Sequence, residues 1–230
     1  MEKEKTIDYN WDSLNKKTYN NRVGHYKFRR QFKFILKNGK DHYDKILDIA
    51  GGSGRIAIPL LEYSKKITVL DIKPNAIKIL KNRNSDINTI CNDFIKTEFQ
   101  EMFSLILCIE AIGCFTDWEE VFKKINTLLT DDGRFIFTYT NPNSWRFFFR
   151  RIIHLNDSYK GVKFNELQKS LTKHNFEIED IEGFNWMPLP LYSNSRLVYL
   201  FEFIERVFKL KNWYSQSPWL LLSIKKTTNQ

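Results

Sequence analysis

Ile46-Leu-Asp-Ile-Ala-Gly-Gly-Ser-Gly54 decides the fold of this chain. A short apolar run carrying one acid breaks into a glycine-rich bend, and the amphipathic stretch Arg55–Tyr63 follows. The order reads as strand, tight loop, helix. Glycines let a backbone approach a ligand closely, and a helix N-terminus presents N–H groups that lack intrahelical partners. Such a turn suits a nucleoside-bearing ligand at the carboxyl end of a parallel strand. The loop alone leaves that ligand open. Gly52-Ser-Gly54-Arg-Ile-Ala57 also fits the dinucleotide fingerprint, and Asp71 ends the next apolar run as a ribose-binding acid would.

The segments that follow at regular spacing narrow the choice. Val69-Leu-Asp-Ile72 closes a second strand, Cys91-Asn-Asp-Phe94 a third, and Leu105–Glu110 forms a fourth. A helix over Asp117–Leu129, a turn at Asp131-Asp-Gly133 and a fifth strand over Arg134–Tyr139 continue the alternation. With these motifs in this order, the chain resembles the class I S-adenosylmethionine-dependent methyltransferases, in their small-molecule and glycan-pathway branch. The resemblance is close over residues 44–141 and looser on both sides. It implies an α/β Rossmann-like sheet of seven strands, the last antiparallel, with helices on both faces. Phe176–Ile181 and Trp219–Ile224 supply the sixth and seventh strands.

A single domain is expected over residues 1–230, in three stretches. Residues 1–43 are a helical lid, with helices over Trp11–Asn21 and Tyr26–Lys37. Residues 44–141 are the cofactor half. Residues 142–230 are the acceptor half, with a helical cap insert at 187–215 between strands six and seven.

The resemblance also assigns roles. Asp71 accepts from the ribose hydroxyls, with Ile72 beside it. Asn92, Asp93 and Phe94 meet the adenine ring. Asp48 orients the loop or meets the methionine ammonium, towards which Ile109 turns its carbonyl. Gly51, Gly52 and Gly54 form the loop, Tyr19 covers the methionine end, and Arg29 could meet its carboxylate. The chain departs from the family pattern twice. Ala50 stands where relatives usually place the first glycine, a change that is tolerable if φ there stays negative. Gly113-Cys114 replaces the Glu-His that many relatives carry after strand four, so the usual base is missing.

Methyl transfer asks chiefly for alignment in a dry site, worth up to ~7–11 kcal/mol through effective molarity. An alcohol acceptor additionally needs a base. His25, His154, Glu110 and Tyr139 are the candidates, His154 and Glu110 the two carried forward as catalytic. Glu110 with Asn141 matches in position the metal ligands of catechol-type relatives. The acids are too few, and no His/Cys cluster has zinc spacing, so no metal is expected.

Composition bounds the rest. The 230 residues hold 36 Lys or Arg against 27 Asp or Glu, a net +9. Six of those charges lie in residues 1–45, which carry twelve Lys or Arg and six Asp or Glu. Arg146, Arg150 and Arg151 form a second cluster around Phe147–Phe149. A basic surface inherited from a Lys- and Asn-rich composition, an anionic acceptor and docking at an anionic membrane all fit this pattern. No nucleic-acid partner is expected, and oligomeric state is not legible. Cys91, Cys108 and Cys114 lack a C-x-x-C pair and read as buried, reduced thiols. No apolar run reaches membrane-spanning length and no leader is visible, so a cytoplasmic location is expected.

The expected activity transfers a methyl group from S-adenosylmethionine, leaving S-adenosylhomocysteine. The acceptor is a hydroxyl or amine of a small polar metabolite, such as a sugar or nucleotide-linked sugar. The alternatives are a lipid-linked acceptor at a membrane surface and a cofactor-binding scaffold subunit. An NAD oxidoreductase would need a substrate domain that the last 90 residues do not make.

Overall fold

The computed structural model describes residues 17–39, 43–64, 66–152 and 162–227. Seven strands form one sheet: β1 (Ile46–Ile49), β2 (Ile67–Asp71), β3 (Asn88–Cys91), β4 (Phe103–Cys108), β5 (Leu129–Thr140), β6 (Phe176–Phe184) and β7 (Trp219–Lys226). Their order is β3-β2-β1-β4-β5-β7-β6. The first five pair in parallel, and β7 runs antiparallel to both β5 and β6. Strand order reverses between β1 and β4, and open α/β sheets bind ligands in the crevice beyond the strand ends at that switch point.

Every residue of β1, β2 and β4 is buried, as expected of parallel strands covered on both faces. One face packs against α3 (Trp118–Leu128) and α5 (Phe164–Lys173), where Phe122 and Leu167 meet Phe135 and Phe137. The other packs against α1 (Arg22–Asn38), α2 (Pro74–Arg83) and α6 (Leu197–Val207), where Tyr26, Leu80 and Val198 meet Ile46, Val69 and Ile136. Each large apolar side chain buried this way contributes about 1.5–3 kcal/mol. A further helix, α4 (Trp145–Ile152), follows β5 and buries no residue fully.

Local sequence explains the helix starts. Asp117 caps α3 by accepting from the Glu120 N–H at 3.1 Å, with Glu119 and Glu120 in the first turn. Asn21 caps α1 by accepting from the Gly24 N–H at 2.9 Å. Gly24 also sets the position of Tyr19, because a Cβ there would lie 2.3 Å from the Tyr19 carbonyl oxygen.

Three expectations are corrected. The helix expected over Arg55–Tyr63 is a run of turns ending in a 3-10 helix at Pro59–Glu62. Pro59 has no N–H to return to Arg55, so the i to i−4 bond from Ile58 to Gly54 is followed by i to i−3 bonds. Ala50 has φ +54°, not negative: the sharp exit from β1 holds a residue with a Cβ in the left-handed region. That strain costs about 1–2 kcal/mol and sits beside the site, where such strain concentrates. Of the three cysteines, all free, only Cys108 is buried. Cys91 lies on the edge strand and Cys114 beyond the end of β4, and both are exposed.

Candidate active site

A cavity of about 380 Å³ opens at the carboxyl ends of β1, β2 and β4. It gathers Tyr19, Asp48, Ala50, Gly51, Gly52, Asp71, Ile72, Ile109 and Glu110 from the residues expected to act. Gly54 lies in the loop with φ +84°, where a Cβ would come 2.5 Å from Leu80 Cδ1. Gly51 is equally constrained: a Cβ there would sit 2.5 Å from the Asp48 carboxylate. The loop therefore hugs that carboxylate, and no larger residue fits between them.

Asp71 is buried at the end of β2. Its Oδ2 accepts the Gly52 N–H at 2.9 Å and its Oδ1 the Lys73 N–H at 2.8 Å. A carboxylate has about four acceptor positions, so each oxygen keeps one for a ligand hydroxyl. Asp48 is also buried, and its Oδ2 has no hydrogen-bond partner. Burial pushes its carboxyl up to about 7, with Arg55 opposing and Asp71 reinforcing the shift. An orphaned oxygen on a buried acid beside a cavity is a place for a cationic or donor group to bind.

Glu110 has φ +63° and a side chain only 9% exposed. Its Oε2 accepts from Lys27 Nζ at 2.7 Å and Tyr19 Oη at 3.4 Å. Its Oε1 accepts from Gln31 Nε2 at 2.8 Å and Arg55 Nη2 at 3.3 Å. Burial alone would raise this carboxyl, but Lys27 and Arg55 outweigh it and hold it below its usual range. Four donors fill the four acceptor positions, which leaves no lone pair for a substrate proton. In this arrangement the Glu110 carboxylate ties α1 to the end of β4.

The other candidates lie apart. His154 falls outside the described residues. His25 is exposed on α1, and Tyr139 is fully buried, donating its hydroxyl to the Val162 carbonyl. Asn141 spends its amide on the Ser215 and Ser217 carbonyls and the Asn143 N–H. Asn92, Asp93 and Phe94 do not line the cavity, because β3 is the edge strand and its loop lies beyond Ile72. There Asn92 Oδ1 accepts from the Asp93 N–H and Asp93 Oδ1 from the Ile95 N–H, while Phe94 packs edge-on against Phe115. Arg29 faces away and pairs with Glu202 at 2.6 Å.

The reason for that last placement is helical period. Lys27 and Gln31, one turn apart, point at the cavity, so Arg29 must point to the opposite side. Sequence reasoning missed Lys27, Gln31 and Arg55. A signal existed in each case. Lys27 and Gln31 interrupt the apolar stripe Val23, Tyr26, Phe34, Ile35, and Arg55 is a lone charge just after the glycine loop.

Residues 21–193 match the family model described as a methyltransferase domain. The chain belongs to that family. A ubiquinone biosynthesis O-methyltransferase of Rickettsia prowazekii is 23% identical over 203 residues, which cover 80% of this chain and 79% of the relative. Among solved structures, an S-adenosylmethionine-dependent methyltransferase from Clostridium acetobutylicum superposes with TM-score 0.63 at 14% identity, covering 94% and 97% of the two chains. A magnesium protoporphyrin IX methyltransferase from Synechocystis with bound S-adenosylhomocysteine gives 0.65 at 11%, covering 89% and 84%.

The methyltransferase's cofactor is S-adenosylmethionine, and the residues present fit it. Asp71 offers two acceptor positions, the glycine loop offers a backbone stripped of side chains, and the unpaired Asp48 oxygen suits an ammonium group.

Asp48 makes the free enzyme sensitive to pH. Its folded value lies above the unfolded one, so its stabilising contribution is complete below about pH 4 and lost as pH rises through about 7. At ~1.4 kcal/mol per unit, that loss is about 4 kcal/mol at most. In Asp48→Asn the decline should vanish from urea-unfolding free energies measured between pH 4 and 8. A decline of the same size in the variant would assign it to other groups.

Proposed function

We propose that this methyltransferase transfers a methyl group to an oxygen atom of a small-molecule acceptor. The buried, unpaired Asp48 oxygen carries the cofactor side of this reading, because it gives the cavity a built place for the cofactor's amino-acid end. The sulfonium supplies an already activated methyl group. The protein's part is to hold that group still and keep water away. In this reading Asp71 fixes the ribose, Asp48 takes the ammonium, and Arg55 meets the methionine carboxylate in place of Arg29. Tyr19 closes the cavity from α1's side, with the Arg55 guanidinium 4.5 Å from the centre of its ring. Beyond the cavity lining, Asp93 and the backbone N–H of the buried Phe94 take the adenine.

Transfer to oxygen is supported by the O-methyltransferase named among the relatives. A second reading of the acceptor has its own observation. The apolar outward faces of α4 and α6 favour a lipid-dissolved or lipid-linked hydroxyl over a sugar. The two are separated by incubating the enzyme with cofactor labelled in its methyl group and a cell extract split into aqueous and organic phases. Label should enter an ether that hydriodic acid cleaves. Label in the organic phase selects the lipid reading and label in the aqueous phase the sugar reading; label only in acid-resistant N-methyl products would overturn transfer to oxygen.

A further inference from the structure

A second cavity, of about 530 Å³, lies on the far side of α1, between that helix, β6, α6 and the segment after α6. Its lining holds seven Lys or Arg against three Glu, so it carries a cationic excess. The three acids are already engaged. Glu182 shares Arg30, Lys37 and Lys211, Glu202 pairs with Arg29, and Glu205 accepts from the Tyr26 hydroxyl and the Trp186 N–H. Lys33, Arg206 and Lys209 have no carboxylate partner among the described residues, and all three are exposed.

The helix beside this cavity keeps a second apolar face outward. Its inward face buries Val198 and the acid Glu205. Its outward face presents Tyr199, Leu200, Phe203 and Val207, each more than half exposed. At 100° per residue these four fall within one stripe about 100° wide, with Arg206 at its margin. Phe208 and Trp213 extend the apolar surface past the helix end, beside Lys209 and Lys211. A soluble surface gains nothing from such a stripe. A bilayer surface does, because apolar residues enter the headgroup boundary while the flanking cations meet anionic lipid phosphates.

We infer that α6 docks on an anionic membrane surface, with a phosphate-bearing lipid headgroup seated in the basic cavity between α1 and α6. The inference does not depend on which acceptor the enzyme methylates. Charge complementarity selects the occupant: a second copy of this chain would bring its own cationic face against this one.

The test is flotation of the full chain with vesicles of phosphatidylcholine alone or mixed with phosphatidylglycerol, in low and high salt. Binding should appear with the anionic vesicles only and weaken as salt rises. Lys33→Gln and Lys209→Gln should each lower partitioning about five-fold, the worth of one cation near a charged bilayer. Leu200→Ser with Phe203→Ser should lower it at least about ten-fold. All variants should keep the melting shift that S-adenosylhomocysteine gives the parent, which separates failure of docking from failure to fold. No binding to anionic vesicles, or binding indifferent to these substitutions, overturns the inference. So would inorganic phosphate protecting the cavity without any vesicle binding, or a dimer that Phe203→Ser dissociates in sedimentation equilibrium.

Discussion

Asp71→Ala should weaken S-adenosylhomocysteine binding by about 10²–10⁴-fold, the loss of two hydrogen bonds to a charged acceptor. The same substitution should also cost the free enzyme stability, because it strands the Gly52 and Lys73 N–H groups that the carboxylate now holds. Each buried unpaired donor costs about 1–3 kcal/mol. Asp71→Asn keeps one acceptor oxygen and can satisfy one of those N–H groups. It should recover part of the stability and little of the affinity. Calorimetric titration with S-adenosylhomocysteine, alongside melting of the free variants, reads the two effects separately. Undiminished affinity in both variants would remove Asp71 from the ribose site.

Glu110→Ala should destabilise the fold by about 3–5 kcal/mol, because it leaves a buried lysine charge without its partner. Lys27 is wholly inaccessible, and only Glu110 lies within ion-pair reach of it among the described residues. Burial already lowers the Lys27 amine from its usual value, with Glu110 opposing that shift. In the variant the amine should fall further, so stability lost near neutral pH should partly return as pH rises and Lys27 sheds its proton. Glu110→Gln should fall between parent and Ala. Removing both charges, as Lys27→Met with Glu110→Gln, should be milder than Glu110→Ala alone. Equilibrium unfolding in urea across pH 6–10 checks each point; a Glu110→Ala variant as stable as the parent would show that water reaches Lys27.

Much of this arrangement is legible in the residues alone. The buried strands β1, β2 and β4 announce themselves as mostly apolar runs without alternation, because parallel strands covered on both faces have no polar side. The exit of β1 into glycines placed the cavity, and the acids within β1 and at the end of β2 placed Asp48 and Asp71. Other features were hidden for physical reasons. Pro59 looks harmless in an amphipathic stretch, yet the bond it cannot make converts a helix into 3-10 turns. Left-handed backbone at Ala50 and Glu110 is set by strand geometry and leaves no mark on residue type. The grip on Glu110 was missed because its donors come from α1 and from Arg55, far apart in sequence, and only the tertiary fold joins them. The residues expected to meet adenine show the converse: the motif was plain, but an edge strand carries it away from the cavity's centre.

Helix α1 is held by acids on both sides, with Asp180 on β6 also bonding Lys37 and Asn38 near its end. Glu110 grips Lys27 and Gln31 on one face, and Glu182 on β6 grips Arg30 and Lys37 on the other. Its tilt is thus a compromise between two anchors that never touch. Evolution should feel this as a correlation. A change that loosens position 182 would let α1 roll and misplace Tyr19 over the cavity, and the natural remedy is a compensating change at 110 or in the helix itself. Positions 110 and 182 should therefore vary together in descendants of this chain, although neither side chain contacts the other.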